Sequence, residues 1–306
     1  MTILTKLKPW YSLIGIGIFA VILLAVAPSI LTMHWVNNLG KYCAWAIVAV
    51  GIGLAWGRGG MLVMGQGVFF GLGAYAMAMH MTLETAGPDA LPGFMILYDP
   101  LAPLPAFWEP FRSPWFTLLA ILVLPIIVAG ILGFALFKRR VKGAYFAILT
   151  QALAVALAIW ISSTIRETGG DTGLSGFTSF FGYDLQDPAN QVMVYLITAS
   201  LLVVCMVVVW QLYRSRFGEL LLATRDAEER VRFLGYDPAN VKLAAFVIAA
   251  VMASVGGAMF VPLVGIITPQ EIGASASILM IAGVALGGRA SLFGPVLGAM
   301  AIGWGQ

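Results

Sequence analysis

The chain has 306 residues, 60% of them apolar and only 10% charged, with a formal net charge of +3. Soluble domains carry about a quarter charged residues, so this composition excludes a water-soluble globular protein and specifies an integral membrane protein. The small net charge offers no footprint for nucleic acid. The two cysteines, Cys43 and Cys205, sit in apolar runs as small hydrophobes and form neither a disulfide framework nor a metal site.

A membrane span needs about twenty apolar residues. Taken in chain order, candidate spans cover roughly 10–31, 41–56, 60–82, 115–137, 144–165, 191–212 and 243–267. The first follows Lys6 and Lys8 and runs past the length of a signal-peptide apolar core, so it is read as a retained span. The tail, roughly 275–304, is apolar but interrupted by Gly287-Gly288-Arg289 and by Pro295. It is either one broken helix or a helix with a re-entrant segment packed inside the protein. The expected fold is an all-α polytopic bundle of about eight or more spans, forming a single transmembrane domain over 1–306.

Basic residues in short loops set orientation. With the N-terminus in the cytoplasm, the inner segments hold Lys6, Lys8, Arg58, Lys138, Arg139, Arg140, Lys142, Arg214, Arg216, Arg225, Arg230, Arg232 and Lys242. The outer segments hold Lys41, Arg112 and Arg166, and Arg289 is unassigned. The outer loop 83–114 carries Pro88, Pro92, Pro100, Pro103, Pro105, Pro110 and Pro114 among Phe107, Trp108, Phe111 and Trp115. Prolines hold it in extended and turn conformations. It is either a docking surface for an external partner or a lid packed on the bundle. Its acidic residues, Glu84, Asp89, Asp99 and Glu109, agree with an outer location.

Three segments carry candidate function. Gly57–Tyr75 is glycine-rich, and Gln66, between Gly65 and Gly67 and ahead of Phe69 and Phe70, is a lone amide in an apolar run. A buried amide in a membrane needs a partner, so Gln66 faces the bundle interior. There it either bonds a passing polar solute or joins two helices. Thr150 and Gln151, about two turns into their span, pose the same alternatives. The segment is no phosphate loop, for it lacks the lysine and the preceding strand. Gly169–Gly176 is an outer turn-rich loop with too few oxygen ligands for calcium.

The third segment, Arg214–Lys242, is too polar to span and too patterned for a linker. Leu220, Leu221, Leu222, Val231, Phe233 and Leu234 supply apolar contacts; Arg225, Asp226, Glu228, Glu229, Arg230 and Arg232 supply charge. Asp226 and Arg230 have the i, i+4 spacing of one helical face, and Gly235 ahead of Pro238 marks a helix stop. The mixed charge disfavours anionic lipid and favours a helix gripped by a soluble partner inside the cell. No catalytic constellation, metal site or cofactor motif is visible: His34 and His80 lack ligand spacing, and no Gly-x-Ser-x-Gly elbow occurs.

The run from Arg225 to Ala299, with GQGVFFGLGAY, KGAYFAILTQAL and GDTGLSGF in order before it, resembles the permeases of the branched-chain amino acid and urea ATP-binding cassette importers. The resemblance covers about residue 40 to the end. FFGLGAYAMAMHM, LPGFM, RDAEERVRFLGYDPANVK and VPLVGIITPQE look closer to the urea-type second permease. Urea or a short amide is therefore the first expectation and branched-chain amino acids the alternative. The resemblance implies a bacterial inner-membrane subunit embedded in lipid. Its implied partners are a homologous second permease, two cytoplasmic ATPases and a periplasmic binding protein, with ATP hydrolysis in the ATPases and no catalysis or cofactor in this chain. It also implies that the coupling loop lies within 213–242, on Phe217–Asn240, with Phe217 and Gly218 at its start. Members continue past GGRASLFGPVLGA, which implies that this chain is C-terminally incomplete. The rival of another class is a stand-alone channel or ion-coupled carrier; it calls for an intramembrane carboxylate, and the seven clear spans contain none.

Overall fold

A computed structural model describes residues 2–87, 90–98, 103–141 and 143–305, with side chains from Ser12 onward except that of Tyr98. Pro88, Asp89, Asp99, Pro100 and Lys142, and the side chains of Lys6 and Lys8, lie outside this description. The helices are α1 (Thr2–Val21), α2 (Ala27–Ile30), α3 (Met33–Ile52), α4 (Gln66–Ala86), α5 (Gly93–Tyr98), α6 (Pro114–Lys138), α7 (Ala144–Ser163), α8 (Ile165–Thr168), α9 (Pro188–Arg214), α10 (Arg216–Phe233), α11 (Pro238–Val264), α12 (Ala274–Gly287) and α13 (Phe293–Trp304). Four two-residue strands form two small antiparallel pairs. β1 (Leu174–Ser175) pairs with β4 (Ile266–Ile267), and β2 (Ser179–Phe180) pairs with β3 (Tyr183–Asp184). The protein is an all-α polytopic bundle.

Six helical segments among the described residues are long and apolar enough to cross a membrane: Ser12–Ile30, Met33–Arg58, Pro114–Lys138, Ala144–Ser163, Pro188–Arg214 and Pro238–Val264. The expected span at 60–82 is displaced. The chain leaves Arg58 as a non-helical stretch and becomes helical only at Gln66. The span expected at 41–56 begins earlier, at Met33, because Asn37, Asn38 and Lys41 are helical rather than loop residues. Asn37 donates to Gln191 of α9 at 2.9 Å, and Asn38 bonds His34 one turn away. Lys41 is therefore not an outer-loop residue. It lies eight residues, roughly 12 Å at helical rise, beyond Met33 and above the Trp45 ring.

α3, α4 and α11 form the centre, with α11 also against α6 and α3 against α9. Two π-helical turns interrupt this packing where a carbonyl is needed elsewhere. The first, Ile22–Val26, presents the Leu23 carbonyl to the buried Tyr195 hydroxyl at 2.7 Å. The second, Gly53–Arg58, ends α3 and presents Gly57 to α10. The tail resolves into a helical hairpin. A Cβ on Gly287 would land on the Gly294 carbonyl, and one on Gly298 on the Gly283 carbonyl. Both helices thus carry a small-xxx-small face that lets backbones touch, as between membrane helices. Gly288, at φ +92°, makes the turn.

Part of the loop 83–114 packs on the bundle, while Leu97 and Phe107 stay exposed. Trp108 is fully buried and its indole donates to the Glu167 carbonyl at 3.0 Å; Phe111 is buried as well. The loop Gly169–Gly176 is held by β1, and Thr172 donates to the Gly169 carbonyl. Among the described residues no group of three or more His, Cys, Asp or Glu is placed to hold a metal.

Arg58, Lys138, Arg214, all of α10 and the α11 start gather at one end of the bundle. Lys138 pairs with Asp237, Arg58 stacks on Tyr213 and Arg214 on Trp210. Arg289, unassigned by sequence, joins them over the Trp56 ring. Arg112 and Arg166 lie at the opposite end, bonded to the carbonyls of Gly87 and Pro103.

Candidate functional site

Three elements meet where α4 begins. Gly65 sits so close to α7 that a Cβ would overlap the Thr150 carbonyl, and a Cβ on Gly67 would overlap the Ile272 carbonyl and the Ser277 hydroxyl. The Gly67 amide, one of the donors a helix N-terminus leaves without an intrahelical acceptor, donates to Ser277 Oγ at 3.1 Å. Gly65, Gln66, Gly67 and Thr150, proposed from sequence as one path, are therefore assembled, with Gln151 next to Thr150 on α7. Ser277 completes the group. It escaped notice because it lies in the tail whose topology the sequence left open.

Gln66 is fully buried, and neither its amide nitrogen nor its oxygen has a partner. The same holds for both amide atoms of Gln151. Helix glue would show an interhelical bond, and neither glutamine makes one. Thr150 differs: its hydroxyl donates to the Ala147 carbonyl of its own helix at 2.9 Å. Phe69 and Phe70 are packing residues in this conformation. Phe69 meets Phe246 edge-on at 5.4 Å, within a cluster that includes Phe137 and Phe146, and Phe70 meets Phe260 at 5.3 Å.

Beside this junction, towards the basic end, lies a cavity of about 480 Å³. The non-helical stretch Gly59–Leu62, the α6–α7 corner and the faces of α10 and α11 enclose it. Ala147 in its wall is one turn from Thr150.

α10 starts at Ser215, whose hydroxyl accepts from the Gly218 amide, and ends ahead of Gly235, which takes φ +86° as the expected stop. Phe217 is half-buried and Gly218 buried in the α9–α10 corner. The helix is kinked at Ala227 (φ −152°, ψ 68°). The kink defeats the expected Asp226–Arg230 pairing: Asp226 instead accepts from Arg225 Nε at 2.8 Å. Arg225 also reaches inward, donating from Nη1 to the Gly57 carbonyl at 2.7 Å. That oxygen is one of the terminal carbonyls a helix leaves free, and a guanidinium there also suits the helix dipole. Glu228 accepts from Arg232 at 2.8 Å and from Lys242 of α11 at 2.9 Å. Glu229 is exposed, 3.6 Å from Arg232, and Arg230 is exposed. At the tip Phe233 is 89% and Leu234 75% exposed, with Tyr236 beside them at 53%.

Residues 35–306 match the family described as branched-chain amino acid transport system / permease component. The chain belongs to that family. Among curated relatives, the high-affinity branched-chain amino acid transport system permease protein LivM of Escherichia coli K12 is 28% identical over 92% of this chain and 65% of its own length. LivM of Salmonella typhimurium LT2 gives the same figures. BraD of Pseudomonas aeruginosa, of the same description, is 26% identical over 88% of this chain and 82% of its own. The chain thus spans 65% of the length of the LivM proteins. No solved structure matches.

Proposed function

We propose that the chain is a permease subunit of an ATP-binding cassette importer for branched-chain amino acids, a multi-pass protein of the bacterial inner membrane with its N-terminus and basic end in the cytoplasm. Urea, first in the sequence reading, becomes the alternative, because the curated relatives carry the branched-chain name. The observation that carries the importer assignment is α10. It is anchored to the bundle on one side by Arg225 and Glu228 and presents the apolar tip Phe233-Leu234-Tyr236 on the other. Exposed apolar clusters of this kind mark partner surfaces, and the basic residues around the tip keep it on the cytoplasmic side. The partners are a homologous second permease, two cytoplasmic ATPases that supply the hydrolysis, and a periplasmic binding protein. Nucleotide-driven movement of the ATPases displaces α10, and the bundle around Gln66 opens and shuts.

The test is uptake into vesicles containing the complete complex, with binding protein and ATP supplied. Import of leucine, isoleucine and valine but not urea is expected; the reverse preference refutes the substrate. ATP-independent uptake by this chain alone would favour a channel or carrier. Single cysteines at Phe107 and Glu229 test orientation. Phe107 should label from outside intact cells and Glu229 should not, and the opposite pattern overturns the topology.

A further inference from the structure

The cavity beside the Gln66 junction has two unlike walls. The bundle side is apolar, with Met61, Phe137 and Phe146, whereas the α10–α11 side presents Arg225, Glu228 and Lys242. Glu228 and Lys242 are only 16% and 15% exposed, so their charges are poorly hydrated as well as paired. A neutral amide can bond ions of both signs, C=O to cation and N–H to carboxylate, but urea offers nothing to the apolar wall. An anion or a cation alone would meet a like charge. An aliphatic α-amino acid matches all three surfaces: carboxylate to cation, ammonium to carboxylate, side chain to the aromatic wall.

We propose that this cavity binds the zwitterionic head group of an aliphatic α-amino acid at the cytoplasmic exit of the path. The carboxylate sits on Arg225 and Lys242. Arg225 has donors beyond the two that hold Gly57 and Asp226, since a guanidinium carries five N–H groups. The ammonium sits on Glu228 in place of Lys242, which turns from that carboxylate to the carboxylate of the solute. The proposal rests on the branched-chain reading above. It gives α10 a second role, because the helix that meets the ATPases also forms one wall of the exit site.

The test uses the full complex with its ATPases in lipid nanodiscs, without binding protein or nucleotide, and measures binding of radiolabelled L-leucine. Saturable binding displaced by L-valine is expected. Isocaproate, which lacks the ammonium, 3-methylbutylamine, which lacks the carboxylate, and urea should compete at least tenfold more weakly. Glu228→Gln and Lys242→Met should each weaken binding tenfold or more. Ala144→Phe, at the first turn of α7, fills the cavity without touching an ion pair and should abolish binding even if the charge variants fail to assemble. Absence of saturable binding, equal competition by either one-charge analogue, or unchanged affinity in assembled Ala144→Phe overturns the proposal. Wild-type uptake in vesicles separates the two readings. Leucine import without this binding sinks the exit site alone, while import of urea and of no aliphatic amino acid sinks the importer assignment on which it rests.

Discussion

Replacing Arg225 by methionine should uncouple the complex without dissolving it. Methionine keeps most of the stem that packs against Gly60 and removes the guanidinium. The bond lost is the 2.7 Å contact from Nη1 to the Gly57 carbonyl at the end of α3. Hydrogen bonds to charged groups are worth about 1.5–3 kcal/mol. The side chain is 38% exposed, so water competes for it and the lower end, about 1.5 kcal/mol, applies. The Asp226 contact is more exposed still, and exposed pairs contribute little. A change of that size is about tenfold in the ratio of α10 seated on α3 to α10 unseated. ATPases should still co-purify, since the exposed tip is untouched, but ATP hydrolysis stimulated by loaded binding protein should fall several-fold. Phe233→Asp should do the opposite, weakening ATPase association while α10 stays seated. Asp226→Ala should be close to wild type in both assays. Loss of ATPases from Arg225→Met together with their retention by Phe233→Asp would refute the division of α10 into an anchored and a docking side.

Gln66→Leu and Gln151→Leu each remove a buried amide without partners, whose desolvation costs about 1–3 kcal/mol. Both variants are expected to hold or raise the melting temperature while lowering uptake per assembled complex; a lower melting temperature with unchanged uptake would make the glutamines packing residues. Gly298→Val drives a side chain into the Gly283 carbonyl and should separate α12 from α13, seen as a drop in melting temperature of several degrees or loss of the folded protein in detergent. Asp237 caps α11 through the Ala239 amide, and its hydrogen bond with Lys138 holds its carboxyl below the usual carboxylate range. A depressed acid stabilises the fold above the unfolded pKa, about 3.9, and loses that effect as pH falls through its folded value. Asp237→Asn should therefore be slightly less stable than wild type near neutrality and converge with it in acid, by thermal unfolding across pH.

Much of this was legible because membrane solvent simplifies the code. Long apolar runs gave the spans at 114–138, 144–163, 188–214 and 238–264 to within a few residues, and the glycine after Leu234 gave the end of α10. The misplacements have physical causes. Asn37, Asn38 and Lys41 look like loop by polarity but find helical or interhelical partners. The stretch 59–65 looks like span by apolarity, yet its glycines meet the α7 backbone and the α10 arginine. Nothing in the sequence sends Arg225 inward. Only the three-dimensional arrangement shows that its acceptor is a helix-terminal carbonyl 168 residues earlier in the chain.

The Gln66 junction and the cavity beside it bear on how the proposed importer would work. A charged solute crossing a bundle needs charged partners or helix ends along its way, and the spans alone show few charges. The cavity holds them, Arg225 and Glu228 from α10 and Lys242 from the start of α11. The junction around Gln66 holds only neutral polar groups: amides, hydroxyls and backbone. Two amides buried without partners raise the free energy of this form, and partners supplied by a polar solute in another form would relieve that cost. Differential stabilisation of this kind is what a ligand needs in order to shift a conformational equilibrium. In the proposed importer the part contributed by the ATPases would enter through the Arg225–Gly57 contact beside the same cavity. Under the proposal, solute and nucleotide would thus act on one bundle through separate contacts, the solute at the buried amides beside the N-terminal turn of α4 and the nucleotide through α10.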